Sequence, residues 1–372
     1  MDRKKVVIIH SNALALNVRG FKEIEANNDL YDFVFLGWNR NNTHLEKFKN
    51  PLNSEINLLN IKAPYGKLYL MVMTFWWIYI FLWLMVKKWD MVHVINLDSA
   101  LPALIASKLK GKKSIYEILD TYEDSVDLPP KLRKIIINFD KILISHFNAV
   151  IIVDEEQIEE FENIPNNNTV IVYDSPPETF HKVSKEKNAK FCIFHAGNLH
   201  KDRKLNLDKL LNVLYELDDI QLVIAGYGDE DTIEGIKRYQ KDMPDKVSFI
   251  GQISYEDVIK YSCKADMLFQ FRDSSLKINK YICGSTLFNS MASGTPIIVN
   301  KGSSTANKVL KENCGLVVDV YNPDEVKDAI LRLKNNEILK NELSSNARKA
   351  YENKYNWKIM EKRLKNLYNE LI

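Results

Sequence analysis

Few residues of this 372-residue chain stand where their types and spacing suggest chemistry. Gly284-Ser285-Thr286 opens a helical stretch. Small residues there let backbone amides approach an anion, which a helix N-terminus favours; alternatively Ser285 only caps its helix. Arg203 and Lys204 sit side by side and, taken alone, read as solvated surface charges. His10, Asp120 and His195 each end an apolar run. Asp120 could orient a hydroxyl, accept its proton or cap the following loop, and a lone histidine at a strand end is more often structural. Asp229-Glu230-Asp231 has the look of a metal-binding triplet, but it follows Gly226-Tyr227-Gly228 and opens a helix. Acidic residues are favoured there by the dipole, so capping is expected and no metal or other cofactor. Cys192, Cys263, Cys283 and Cys314 are widely spaced, with no pair at metal-knuckle or redox spacing.

Short apolar runs alternating with longer helical patterns must position these groups, the signature of parallel α/β layers. In the first half the strand candidates are residues 5–9, 32–36, 91–95, 113–119, 149–153 and 169–173. The pattern stops near Ser175-Pro176-Pro177, and a Lys- and Glu-rich stretch runs to Ala189, the best linker candidate. A second series then begins, with strands at 191–196, 221–225, 247–250, 267–271, 296–299 and 315–318, and a tail from Pro323 that is helical throughout. Two doubly wound, Rossmann-like domains facing each other across a cleft are expected, with ligands at the carboxyl ends of the strands. The expected bounds are 1–178, 189–355, and a C-terminal helix 356–372 returning to the first domain. Lys plus Arg number 51 against 49 for Asp plus Glu, a net of +2, which gives no reason to expect nucleic acid as a partner. The polar start and the short apolar run Val6 to Ile9 do not read as a signal peptide, and a cytoplasmic protein is expected.

One segment departs from the soluble pattern. Of the 19 residues Leu68 to Val86 only Thr74 is neither apolar nor aromatic. At helical rise the run is roughly 28 Å long, close to the hydrocarbon thickness of a bilayer. A true span would put the first two strands on the opposite side from Met91–Ile95 and prevent their sheet from assembling. The segment also lacks the polar face of a surface helix. The favoured reading is a helix packed on the sheet on one side and dipping into lipid on the other; a purely buried helix is the alternative.

Four stretches of the second half, taken in order, resemble the donor domain of family 4 glycosyltransferases of the GT-B fold. They are His195-Ala196-Gly197-Asn198-Leu199 with Lys201-Asp202-Arg203-Lys204; Leu222 to Gly228; Val247 to Gly251; and Gly284 through Val299, which contains Met291-Ala292-Ser293-Gly294-Thr295-Pro296. The first half is more loosely similar to the acceptor domains of this family, at Asn17-Val18-Arg19-Gly20, Phe35 to Arg40 and Ile115 to Asp120. The resemblance implies a metal-independent, retaining transferase that takes a sugar from a nucleotide diphosphate, a UDP-sugar foremost and a GDP-sugar as the other candidate. Arg203 aligns with the basic residue that the family sets on the donor phosphates, and Lys204 is its neighbour. Gly197, Asn198, Gly226, Gly228, Gly251, Tyr281, Gly284, Ser285, Thr286, Leu287 and Asn289 are the implied donor contacts. His10, Arg19, Gly20 and Asp120 are the candidates on the acceptor side, and Asp120 and Arg203 those nearest the chemistry.

Three departures qualify the resemblance. Tyr281 and Asn289 replace two family glutamates, one near the sugar and one that accepts from ribose hydroxyls; Asn289 can still accept through its carbonyl oxygen, without charge. Leu119 stands where many relatives place a histidine before the retained Asp120. Asn198 stands where a basic residue is often found. The leading expectation is an enzyme at the inner face of the cell membrane, resting on residues 68–86 and acting on a lipid-linked or other glycan acceptor in cell-surface polysaccharide synthesis. The alternatives are an inactive partner subunit of another glycosyltransferase, or a sugar-nucleotide epimerase on the same two-domain plan.

Overall fold

The structure, a computed structural model, describes residues 3–12, 18–40, 54–63, 67–120, 130–164, 166–177, 190–201 and 206–372. The chain divides into two units, residues 1–173 with 360–372, and 174–359.

The first unit holds seven parallel strands: β1 (Lys5–His10), β2 (Asp32–Trp38), β3 (Glu55–Leu59), β4 (Met91–Ile95), β5 (Lys113–Ile118), β6 (Ala149–Ile152) and β7 (Thr169–Ile171). Their order is β3-β2-β1-β4-β5-β6-β7, so the winding reverses between β1 and β4. Strand β3, a half-buried edge strand, is not among those expected from the sequence. Strand side chains alternate between faces. Val7, Ile9, Val34, Leu36, Val92 and Val94 share one apolar core with three helices, Lys67–Val86, Leu97–Lys110 and Pro130–His146. Arg19 and Glu23, on helix Val18–Asn27, meet His93 and Glu117 from the opposite strand positions. The C-terminal helix Trp357–Leu371 adds Tyr368 there, with its hydroxyl 2.6 Å from His93 Nδ1.

Helix Lys67–Val86 packs against the sheet through Trp76, Ile80 and Leu84, one every fourth residue and all fully buried. Trp76 stacks on Trp38 and donates to Ser99 Oγ at 3.0 Å, and Trp77 donates to the Asp98 carbonyl at 2.8 Å. Among the described residues no helix is long and apolar enough to cross a membrane.

The second unit is built on β8 (Phe191–Asn198), β9 (Ile220–Tyr227), β10 (Val247–Phe249), β11 (Met267–Gln270), β12 (Ile297–Asn300) and β13 (Gly315–Val318). All six are parallel, in the order β10-β9-β8-β11-β12-β13. The tail is helical but not continuous: it breaks at Asn336, which caps the next helix, and widens into a π turn at Tyr351–Tyr355.

Candidate donor site

In an open parallel sheet the ligand crevice lies at the carboxyl ends of the two strands where the winding reverses. In the second unit those are β8 and β11. Backbone meets backbone closely at this edge. Gly226 has φ 144°, and a Cβ on it would lie 2.0 Å from the Gly197 carbonyl oxygen, so neither the conformation nor the space admits a side chain. Its amide donates to the Gly251 carbonyl at 2.9 Å, which draws the ends of β9 and β10 together. A Cβ on Gly228 would meet the Leu199 backbone at 2.9 Å. Asn198 Oδ1 accepts from the His200 amide at 3.0 Å, turning the chain after β8.

Helix Ser285–Ser293 packs on β11 and β8. Its N-cap is Gly284, and no side chain caps it, so the first-turn amides keep their pull on an anion. A Cβ on Gly284 would lie 2.5 Å from the Gln270 side-chain amide, itself held by a 3.0 Å bond to Thr305 Oγ1. The helix therefore begins hard against β11. Of the expected contacts here, Thr286 and Asn289 are mostly buried, and Leu287 is wholly in the core and could offer only backbone; its amide already bonds to the Gly284 carbonyl at 3.1 Å. Asn289 Oδ1 accepts from the Tyr255 hydroxyl at 3.4 Å. Tyr281 ends the short helix Lys277–Tyr281, with the Lys280 ammonium 4.7 Å from its ring centre. Arg203 and Lys204 lie outside the described residues.

His195 ends the apolar part of β8. Its Nδ1 donates to the Phe269 carbonyl at 3.1 Å, which leaves Nε2 as the acceptor beside Gly197. Burial, helped by the nearby Arg272 charge and opposed by the bond to the Phe269 carbonyl, lowers its pKa to about 4. The ring is therefore neutral at pH 7 and brings no positive charge to a phosphate. Arg272, not among the residues expected from the sequence, directly follows Phe271 after β11, and its amide donates to Asn300 Oδ1 at 2.7 Å. The available signal was a basic residue just past a strand at the winding reversal. Asp229 caps helix Glu230–Asp242: its carboxylate accepts from the Thr232 amide at 3.1 Å and from the Lys201 amide at 2.6 Å.

In the first unit the reversal falls between β1 and β4, near His10 and Asn96. Asn96 takes φ 64°, a strained value for a residue with a side chain, and its Oδ1 accepts from the Leu119 amide at 3.0 Å. This ties the turn before Asp120, which is half-buried after β5, to the end of β4. His10 is buried and its pKa falls to about 4, chiefly through desolvation, with Asp98 opposing and Arg40 reinforcing the drop. Arg19 departs from expectation. Instead of facing an acceptor it is 6% exposed and turns inward to Glu23 and Glu117, both at 2.7 Å, and to the carbonyls of Val172 and Tyr173. Two carboxylates brought together in the core need a cation, and Arg19 supplies it. The second carboxyl is held as an acid, since burial and the Glu117 charge push the Glu23 pKa well up. Gly20 is buried in the same helix.

Residues 177–350 match the family model described as Glycosyl transferases group 1. The chain is 27% identical over 152 residues to the GDP-mannose-dependent monoacylated alpha-(1-6)-phosphatidylinositol monomannoside mannosyltransferase of Corynebacterium glutamicum, covering 40% of this chain and 39% of that protein. It is 24% identical over 208 residues to the phosphatidyl-myo-inositol mannosyltransferase of Mycobacterium leprae, covering 55% and 52%. These alignments thus span about half or less of the relatives' length. Among solved structures, a glycosyltransferase from Rickettsia africae superposes with a TM-score of 0.76 at 13% identity, covering 100% of this chain and 99% of that one. Anabaena HepE in complex with UDP gives 0.76 at 12% identity, covering 99% and 100%. The second unit thus matches the glycosyltransferase group 1 model over just under half of the chain, and over its whole length the chain shares the GT-B fold of two parallel-sheet, Rossmann-like units.

Proposed function

We propose that the protein is a retaining, metal-independent glycosyltransferase that moves a sugar from a nucleotide diphosphate to a lipid-carried glycan at the cytoplasmic face of the membrane. The observation that carries this reading is the uncapped start of helix Ser285–Ser293 hard against β11, the strand next to the glycine-shaped β8 and β9 of the same sheet. As the bond from the sugar to the diphosphate breaks, the leaving phosphate gains negative charge, and amides at a helix N-terminus stabilise it without reorganising. Arg203, Lys204 and Arg272 are the cations proposed to share that charge, while Asp229 is occupied with capping. The acceptor hydroxyl forms the new bond to the sugar and loses its proton, for which Asp120 is the proposed recipient or guide. Retention of configuration follows the family.

The relatives named above are mannosyltransferases of phosphatidylinositol lipids, which supports a lipid acceptor, as does the apolar helix Lys67–Val86. HepE was solved with UDP and the corynebacterial enzyme uses GDP-mannose, so both bases belong in the test. The test is nucleotide release from UDP- and GDP-sugars by purified protein, with and without a polyprenyl- or glycerolipid-linked sugar. Release that needs the acceptor, together with a glycosylated lipid, is the expected result. No melting shift with millimolar UDP, GDP or ADP, and no release from any donor, would overturn the reading.

A second reading, an inactive subunit that partners an active glycosyltransferase, is favoured by Tyr281 and by Asn289, which stands in a carboxylate's place and bonds to Tyr255. Transfer by the purified protein alone would remove it.

A further inference from the structure

The helical layer on one face of the first unit's sheet carries apolar side chains on both of its own faces. In helix Lys67–Val86 the face opposite Trp76, Ile80 and Leu84 presents Phe75, Ile78 and Leu82, each more than half exposed. The next helix, Leu97–Lys110, buries Ala100, Ala103 and Leu104 and exposes Ile105 and Leu109. The third, Pro130–His146, buries Leu143 and Ile144 but exposes Ile135, Phe139 and Ile142, a second stripe at helical spacing. The first helix packs on the second and the second on the third. Eleven of the 21 large apolar side chains that stand exposed among the described residues lie on these three helices, about one-seventh of the chain. Scattered exposed apolar residues are normal; a concentration of this kind marks a docking face.

Charge selects the occupant. The only acidic residues in the three helices are Asp98 and Asp140, and both are buried. The exposed Lys87, Lys88 and Lys108 stand at the ends of the first two helices, and Lys131 and Lys134 at the start of the third. An apolar platform rimmed by lysines, with no exposed carboxylate of its own, suits the headgroup boundary of an anionic bilayer: apolar side chains enter the acyl region and ammonium groups meet lipid phosphates.

We propose that all three helices together, not residues 68–86 alone, form one platform that docks on an anionic lipid surface. This deepens the membrane reading above and rests on it. The platform joins the first unit's winding reversal directly, since Trp76 and Trp77 bond to Ser99 and Asp98 at the start of the second helix. Docking therefore brings the proposed acceptor end of the sheet to the level of the headgroups.

The test is co-sedimentation of the full chain with phosphatidylglycerol-containing vesicles and with pure phosphatidylcholine vesicles, at low and high salt. Tighter binding to the anionic vesicles, weakened by salt, is expected. The double variant Ile135→Asp/Ile142→Asp lies outside the most apolar helix and alters only exposed positions. It should bind anionic vesicles at least about tenfold more weakly, since each change removes a whole apolar side chain from the buried set. Its melting temperature and its UDP-induced melting shift should stay at the parent's values. A variant that binds vesicles as the parent does would overturn the three-helix platform while leaving the enzymatic reading intact. So would a parent that stays in solution with anionic vesicles, or one that forms a dimer which the double variant splits. Loss of the nucleotide shift in the parent would instead count against the enzymatic reading, whatever the vesicles show.

Discussion

Substituting Gly284 by alanine tests the donor site at its tightest point. The glycine has φ −77°, so alanine adopts the backbone without strain. The obstacle is space: the new methyl would lie 2.5 Å from Gln270 Nε2 and 2.7 Å from its Oε1. Gln270 is 2% exposed and its bond to Thr305 Oγ1 fixes it at 3.0 Å, so it has little room to yield. Overpacking costs about 1–3 kcal/mol and a broken neutral hydrogen bond about 1 kcal/mol. For a unit of this size each kcal/mol lowers the melting temperature by about 2–4 °C. If the helix start shifts to relieve the clash, the amides lose their aim. Hydrogen bonds to a charged group are worth about 1.5–3 kcal/mol, so UDP or GDP should bind about tenfold to a hundredfold more weakly. Differential scanning fluorimetry and isothermal titration, run on Gly284→Ala, Gln270→Ala and the double variant, read both quantities. Gln270→Ala removes the obstructing amide, so the double variant should be less damaged than the sum of the two singles. A Gly284→Ala protein as stable as the parent and binding nucleotide equally well would refute the reasoning. So would strictly additive singles, which would show that the methyl never meets Gln270.

Arg203→Ala should lower turnover by about a hundredfold or more while leaving the melting temperature unchanged, as expected for a cation on the leaving phosphate; steady-state kinetics checks it. Arg19→Ala should unfold the first unit more readily, by about 3–5 kcal/mol, because it strips the cation from Glu23 and Glu117. Urea denaturation reads that loss, and a rise in acceptor KM with unchanged stability would restore Arg19 to the acceptor. His10 and His195 titrate near 4 when folded and near 6.5 when unfolded, so the unfolded chain binds more protons as pH falls through that window. Their stabilising effect is full above pH 6.5 and lost toward pH 4, by about 3 kcal/mol for each imidazole. Chemical denaturation across that range should therefore steepen, and His195→Asn should flatten it.

The parallel α/β plan was legible because buried strands such as β1, apolar from Val6 to Ile9, and β6, apolar throughout, read as unbroken apolar runs. Strand β3 escaped because Glu55 and Asn57 interrupt it and its edge position leaves it half-solvated. The glycines at 226, 228 and 284 stood out by their places after strands and before a helix, although what excludes a side chain there, Gln270 and the Gly197 carbonyl, is set by tertiary packing. Arg19 misled for a definite reason. Its pairing with Glu23 has helical spacing, but the one with Glu117 joins residues 98 apart, and that bond is what turns the guanidinium into the core. Arg272 was passed over because its significance lies in β11 neighbouring β8, a fact of sheet order. The apolar run 68–86 was conspicuous, whereas the stripe Ile135, Phe139 and Ile142 shares its helix with five charged residues and drew no notice.

The central claim is that a diphosphate sits against the start of helix Ser285–Ser293. Determining the structure of the full chain with UDP, and again with GDP, addresses it most directly. Phosphate oxygens are expected within hydrogen-bond distance of the Ser285 and Thr286 amides, with the base toward Gly226 and Gly251. A nucleotide seated anywhere else, or a helix start closed off by side chains at saturating nucleotide, would contradict it.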